Sequence, residues 1–169
     1  KSHDHGVEVE VGQPASGDLM IFQGPLALNW QRRKAGLWPR IENADIEPHE
    51  VPMHERVALW LRQWVHVRGR PEWVFIKVHT HGAIEHNADW IFGGALVRLH
   101  EALQAQCNDG QRFKLHYVTA REAYNIVKAA EAGRRGNPND YRDFVLPPPP
   151  LSQARAMGRT PVTCHGVTA

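Results

Sequence analysis

The sequence predicts an α/β fold in which parallel strands alternate with helices. Three short apolar runs, at about 18–22, 73–79 and 114–119, have the length and composition of buried strands. Segments with a helical spacing of apolar residues lie at about 55–65, 88–106 and 120–132. Because strands joined through helices pair in parallel, we expect the three strands to be neighbours in one sheet, with the helices packed on it.

The helices are predicted from periodicity and capping signals. The apolar stripe of the first helix follows an i, i+3, i+4, i+7 spacing, formed by Val57, Trp60, Leu61 and Trp64. In the second helix, Gly93-Gly94 weakens the first half, since each glycine costs roughly 1 kcal/mol relative to alanine. For the third, Thr119 and Glu122 form a T-x-x-E capping box and Gly133 follows the last turn, which predicts a helix over Ala120–Ala132.

The domain organisation follows from the count of elements. We interpret 1–146 as one α/β unit and 147–169, which opens with four prolines, as a proline-rich extended or disordered tail. The stretch Gln31–Val51 is rich in Arg, Gly and Pro and is expected to be mainly loop. A closed barrel of eight strand–helix units takes ~250 residues. With three predicted strands, the chain is expected to be a partial (β/α) barrel fragment, about half a barrel, or a small open sheet.

Composition narrows the classes of partner. A formal net charge of +2 over 169 residues and the lack of a basic stripe argue against nucleic acid as the main partner. No apolar run approaches the ~20 residues that a membrane span needs. Cys107 and Cys164 lie far apart and indicate no disulfide framework, so a reducing compartment is expected. Because the first residue is Lys1, we expect this chain to be the C-terminal part of a larger protein, with the N-terminal half of the barrel as its partner.

The segment His79-Thr80-His81 is the first candidate for a functional site. It ends the predicted strand at 73–79, and ligands of parallel α/β folds bind at the carboxyl ends of strands. Histidine there is suited to general acid–base catalysis, and two histidines at i, i+2 on a strand share a face and can reach one metal. The alternative is structural: one ring bonds the adjacent loop and the other is solvated.

Two further sets of polar residues are candidate substrate contacts. Glu85 and Asn87 follow His81 on the same loop, and their alternative roles are a solvated loop or a helix N-cap. Arg40 and Glu42 lie in a proline-bounded segment suited to polar contacts with a sugar, with Trp30 or Trp38 as a stacking wall. The alternative for this second set is a salt-bridged surface loop.

The residues WVFIKVHTHG and LHYVTAREAYNIVKAAEAG resemble the last two strand–helix units of polysaccharide deacetylase-like proteins, of the glycoside hydrolase/deacetylase superfamily. The resemblance covers about Val57–Gly133 and extends to uncharacterised bacterial proteins of that superfamily. In the deacetylases one strand ends in a leucine–x–histidine motif whose histidine is the catalytic acid. Here the matching residues are Lys77, Val78 and His79, so the resemblance implies that role for His79, with lysine in place of leucine.

The resemblance implies a protein that acts on carbohydrate in polysaccharide metabolism, as a metal-dependent deacetylase located by default in the bacterial cytoplasm. The family's metal ligands come from early strands, so it implies a divalent, zinc-like metal only in the full-length parent, and this fragment alone is expected to be inactive. The alternative is a non-catalytic carbohydrate-binding or scaffold protein that retains the barrel fold.

Overall fold

A two-stranded antiparallel hairpin is followed by a series of helices joined through extended segments. The structure, a computed structural model, describes residues 8–14, 19–48, 51–81 and 84–150. Its elements are β1 (Leu26–Lys34), β2 (Trp38–Asn43), α1 (Met53–Arg62), α2 (Glu85–Trp90), α3 (Leu96–Cys107), α4 (Ala120–Glu131) and a 3₁₀ turn at Pro138–Tyr141.

The hairpin occupies much of the region that the sequence predicts as loop, so that prediction is wrong. Leu28 pairs with Ile41 and Asn29 with Arg40, and the register shifts beyond Asn29. Ala35 and Gly36 turn the chain with φ of 51° and 72°, the left-handed conformation of tight hairpin turns. Asparagine or aspartate before glycine is the usual sequence signal for this turn, and alanine stands there instead.

Helix α1 confirms the predicted helix at 55–65, with shifted ends. It begins at Met53, directly after Pro52, and ends at Arg62. Trp64 lies beyond the end with φ of 50°, so the predicted apolar stripe stops one turn early. Val57 and Trp60 are buried, together with the charged Arg56.

The predicted helix at 88–106 is divided in two. Gly94 has φ of 100°, which no right-handed helix contains, and the chain kinks between α2 and α3. Leu99 and Leu103 of α3 pack in the core as predicted, whereas Leu96 is exposed. The weakening expected at Gly93-Gly94 is therefore a complete break.

Helix α4 confirms both of its predicted ends. The Thr119 hydroxyl accepts a hydrogen bond from the Glu122 backbone N–H, and the Glu122 carboxylate accepts one from the Thr119 N–H at 2.7 Å. At the other end Gly133 has φ of 72°, and the Arg134 N–H donates to the Ala129 carbonyl at 3.0 Å. Local capping signals thus determine this helix.

Two hydrophobic clusters form the core. The first joins α1 and α3 to Ala44 and Ile46, and the second joins α4 to Val67 and Trp73. The extended segment at 73–79 lies between them, since Ile76 packs against the first cluster and Phe75 against the second. Its burial is only partial, since Val78 is 38% exposed, and the prediction of a buried strand here is wrong.

The predicted parallel sheet is wrong, and with it the partial barrel. In the described part of the chain no parallel strands alternate with helices, and β1–β2 is an antiparallel pair. The segment at 73–79 divides its backbone bonds, because Phe75 N–H donates to Val65 and His79 N–H to Ala44. In the segment at 114–119, the Leu115 and Thr119 N–H groups bond the side chains of Asn108 and Glu122. Neither segment therefore has the continuous row of free backbone groups that a β-ladder between them would need.

Some predictions fall partly outside the described residues. Asp18 of the first predicted strand lies outside them, and residues 19–22 form no strand. Of the predicted tail at 147–169, residues 147–150 are exposed and non-helical, and 151–169 lie outside the described ranges. Within those ranges, none of the helices has the length and apolar character needed to cross a bilayer.

The buried contact between Glu42 and Arg56 generates a stability prediction. The Arg56 Nε donates to Glu42 Oε1 at 2.6 Å, and both side chains are almost fully buried. Glu42→Gln should lower the free energy of unfolding by about 3 kcal/mol, the lower end of the cost of breaking a buried ion pair, because Asp45 still binds Arg56. Glu55→Gln, which removes the exposed partner of Arg32, should cost less than about 1 kcal/mol. Urea unfolding of both variants checks this, and equal effects would contradict it.

The capping box generates a pH prediction. The backbone hydrogen bond from Thr119, and then the Arg142 side chain, lower the pKa of Glu122 from 4.5 to about 2. A carboxyl whose pKa is lowered by folding stabilises the protein above its unfolded pKa, and this contribution is lost as the pH falls from 4.5 towards 2. The difference in unfolding free energy between the wild type and Glu122→Gln should therefore shrink across that range. A difference that stays constant with pH would contradict the argument.

Candidate functional site

Backbone hydrogen bonds bring two internal segments, at 44–47 and 79–81, together at one edge of the first hydrophobic cluster. The Ile46 N–H donates to the His79 carbonyl at 2.7 Å, and the His79 N–H donates to the Ala44 carbonyl at 3.0 Å. This is a single parallel bridge between Asp45 and His79, with α1 in the connection. Because both segments run in the same direction, the residues that follow them emerge side by side.

Glu47 and His81 meet at this edge and form what we call the Glu47–His81 pair. A carboxylate oxygen of Glu47 lies within hydrogen-bonding distance of His81 Nδ1. The side-chain hydrogen bond from His81 holds the pKa of Glu47 below its ordinary value. An ionised carboxylate only accepts, so we assign the proton of this hydrogen bond to Nδ1, and Nε2 is the ring nitrogen that the bond does not use. The His81 side chain is 67% exposed and therefore accessible to a ligand.

The loop that carries His81 is held on both sides. The Thr80 hydroxyl donates to the Ile46 carbonyl at 3.0 Å, which fixes the chain before His81. Asn87 is buried and donates from Nδ2 to the His81 carbonyl at 3.3 Å. The structure thus places Asn87, predicted to contact substrate, where it positions the His81 backbone. Glu85 is exposed at the first turn of α2.

His79 lies behind His81. Their rings are 6.0 Å apart between centroids and nearly perpendicular, at 82°. His79 Nδ1 is buried and has no hydrogen-bond partner in the described part of the chain. The carboxylate at this edge is that of Glu47, and its hydrogen bond orients His81. The general-acid role that the resemblance implies for His79 stays a prediction, and the geometry favours His81.

Arg40 and Glu42 do not join the histidines directly. Arg40 is half-buried on β2 opposite Asn29, and Glu42 is buried against Arg56 and Trp60. The connection of Glu42 to the site runs through Arg56, whose Nη2 also donates to the Asp45 carboxylate at 2.6 Å. Glu42 therefore acts on the site as part of the core that holds the segment before Glu47.

A groove of about 370 Å³ opens between the start of α1, the end of α2 and α3. It combines an aromatic wall with polar and charged side chains, those of Trp90, His54, Arg98 and Glu101. The Arg98 guanidinium lies 6.0 Å from the centroid of the Trp90 ring. Trp90 follows Asn87 by three residues on α2, so one short helix connects the groove to the His81 loop.

The described residues do not fit the zinc-like metal that the resemblance implies for a full-length parent. No three or more of their His, Cys, Asp and Glu side chains form a group that would hold a metal ion. The Glu47 carboxylate bonds one of the two neighbouring rings, that of His81.

Glu47 is the residue of the candidate site that was not predicted from the sequence. Its partner is 34 residues away, and no spacing rule connects the two. The available signal was the apolar–polar alternation of Ala44-Asp45-Ile46-Glu47, stopped by Pro48, which is typical of a short half-buried strand. A charged residue at the end of such a strand is a candidate ligand contact.

Comparison of the chain with protein-family models, with curated proteins and with solved structures finds no match.

The hydrogen bond within the Glu47–His81 pair is directly testable. His81→Ala removes the donor, so the pKa of Glu47 should rise towards its ordinary value. Carboxyl-carbon NMR titration measures this, and His86→Ala, an exposed histidine on α2, is the matched control that should leave it unchanged. A Glu47 pKa that is the same in the wild type and in His81→Ala would show that no such bond forms in solution.

Proposed function

We propose that this protein removes acetyl groups from carbohydrate, with the Glu47–His81 pair as its acid–base centre. The observation that carries the proposal is the accessible imidazole of His81, oriented by an ionised carboxylate. The likeness of Val57–Gly133 to deacetylases supports the choice of an acetylated sugar as substrate. The barrel prediction is wrong, so the fold gives no support to this function. The structural support comes from the geometry of the Glu47–His81 pair.

The chemistry follows from the proton on His81 Nδ1. With that proton held by Glu47, Nε2 takes a proton from a water molecule whose oxygen attacks the acetyl carbonyl carbon. The imidazolium then returns the proton to the sugar oxygen or nitrogen as the bond to the acetyl carbon breaks. The products are acetic acid and the free hydroxyl or amine, and His81 ends neutral. No step passes through a metal.

The groove between α1, α2 and α3 supports a sugar as the ligand. Sugar rings stack an apolar face on aromatic side chains, and Trp90 provides such a wall. Arg98 and Glu101 provide a donor and an acceptor for hydroxyl groups on the same groove. His79 then acts as a positioning residue, whose ring supports that of His81 from behind.

One observation favours a second function, carbohydrate binding without catalysis. The Glu47–His81 pair is on an open surface, and general acid–base catalysis is stronger where water is excluded. In that case Trp90 and its polar neighbours bind sugar, and the pair serves only to fix the loop. For either function we propose the bacterial cytoplasm as the location, because the buried Cys107 is a free thiol.

Acetate release from acetylated oligosaccharides tests the proposal. His81→Asn and Glu47→Gln should each lower kcat/KM by roughly 10²–10⁴-fold, the usual contribution of general acid–base catalysis. His86→Asn is the matched control and should retain full activity. The melting temperatures of the variants distinguish a loss of catalysis from a loss of folding.

The remaining outcomes distinguish the two functions. Saturable binding of the oligosaccharide that Trp90→Ala abolishes, without acetate release by the wild type, would establish the non-catalytic function. Acetate release that survives both substitutions in the pair would remove His81 and Glu47 from the mechanism.

A further inference from the structure

The β1–β2 hairpin presents a broad apolar face to solvent. Ala27, Asn29 and Glu42 are buried, so the alternating positions of the two strands point outward. These outward residues are large and apolar and expose more than half of their surface: Leu26, Leu28, Trp30 and Ile41. Leu28 and Ile41 are direct cross-strand partners, so the face is continuous across the hairpin.

The turn of the hairpin extends this face. Leu37 and Trp38 are 74% and 71% exposed, directly after the tight turn at Ala35-Gly36. An apolar surface of this size without cover marks an interaction site.

The same hairpin concentrates positive charge. The hairpin, Leu26–Asn43, includes four basic residues and one acidic one, the buried Glu42, although the whole chain has a formal net charge of only +2. Arg33 is exposed near the turn, and Arg32 remains half-exposed while it contacts Glu55 at 3.2 Å. With Glu42 counted, the hairpin has a formal charge of +3 and the rest of the chain a formal charge of −1.

We propose that the β1–β2 hairpin docks on an anionic lipid surface. Basic side chains attract acidic headgroups, while tryptophan and leucine enter the boundary between headgroups and acyl chains. A nucleic acid or an acidic polysaccharide would use the arginines and stack on the tryptophans, but would leave the aliphatic residues of the face uncovered. The combination of Leu26, Leu28 and Leu37 with basic neighbours therefore favours lipid.

Co-sedimentation with vesicles tests the proposal. The protein should bind phosphatidylcholine vesicles that contain phosphatidylglycerol, bind pure phosphatidylcholine weakly, and lose binding as salt rises. Arg33→Gln should weaken the binding about fivefold, the effect of one basic residue near an anionic surface. Leu37→Ser should weaken it at least about tenfold through lost apolar burial. Phe92→Ser, an equally exposed apolar residue on the link between α2 and α3, is the matched control and should bind as the wild type does.

Several results would overturn the proposal. One is no sedimentation with phosphatidylglycerol vesicles, and another is an equal loss in Leu37→Ser and Phe92→Ser. A third is binding to an acidic polysaccharide such as polygalacturonate without binding to vesicles, which would identify a polymer ligand. A fourth is a stable dimer in analytical ultracentrifugation that Leu37→Ser dissociates, which would identify a second copy of this chain as the occupant of the face.

Discussion

The buried guanidinium of Arg56 connects the hairpin, α1 and the segment before Glu47. Its Nε binds Glu42 of β2, and its Nη2 binds the Asp45 carboxylate and the carbonyls of Asn43 and Asp45. The Trp60 indole donates to the same Glu42 carboxylate at 3.2 Å. Removing a cation from water is costly, and only several close partners offset that cost. The chain must therefore bring β2, α1 and Asp45 together at once, which makes this cluster a strict constraint on the fold.

The position of the Glu47–His81 pair depends on the contacts of Arg56. With Asp45 held by Arg56 and Ile46 buried beside α1, the short segment before Glu47 has one position and one direction. The backbone bonds between Ile46 and His79 then align the second segment, and His81 arrives beside Glu47. Core packing thus sets the geometry of a pair that is itself near the surface. The Arg56 charge cluster in the core and the Glu47–His81 pair at its edge are therefore connected through one short segment, Asp45–Glu47.

The hairpin face and the groove beside α2 are the two surfaces to which we assign ligands. They differ in how charge is distributed on them, which the net charge of the chain does not reveal. A nearly neutral chain argues against strong attraction to any polyanion when its charges are spread evenly. Here the strands of the hairpin take basic residues to one end, and its register places large apolar side chains on the outward face. The groove beside α2 has both signs of charge and a single tryptophan, which suits a neutral sugar. Two ligands of different chemistry are therefore compatible with one small chain.

Local signals were enough to predict α4, because its capping box and its C-terminal glycine act within a few residues of each end. They also predicted α1 and located the break at Gly93-Gly94, although its severity depends on the φ of 100° that Gly94 adopts. The sequence by itself located apolar runs at 73–79 and 114–119, neither of which forms a strand in the structure, and proposed the histidines at 79 and 81 as a candidate site. Only the tertiary structure decided that those runs do not pair with each other. Their backbone groups bond Val65, Ala44 and nearby side chains, so they share no β-ladder. The Glu47–His81 pair and the buried Arg56 cluster likewise join residues far apart in sequence, and such contacts exist only once packing has removed the alternatives.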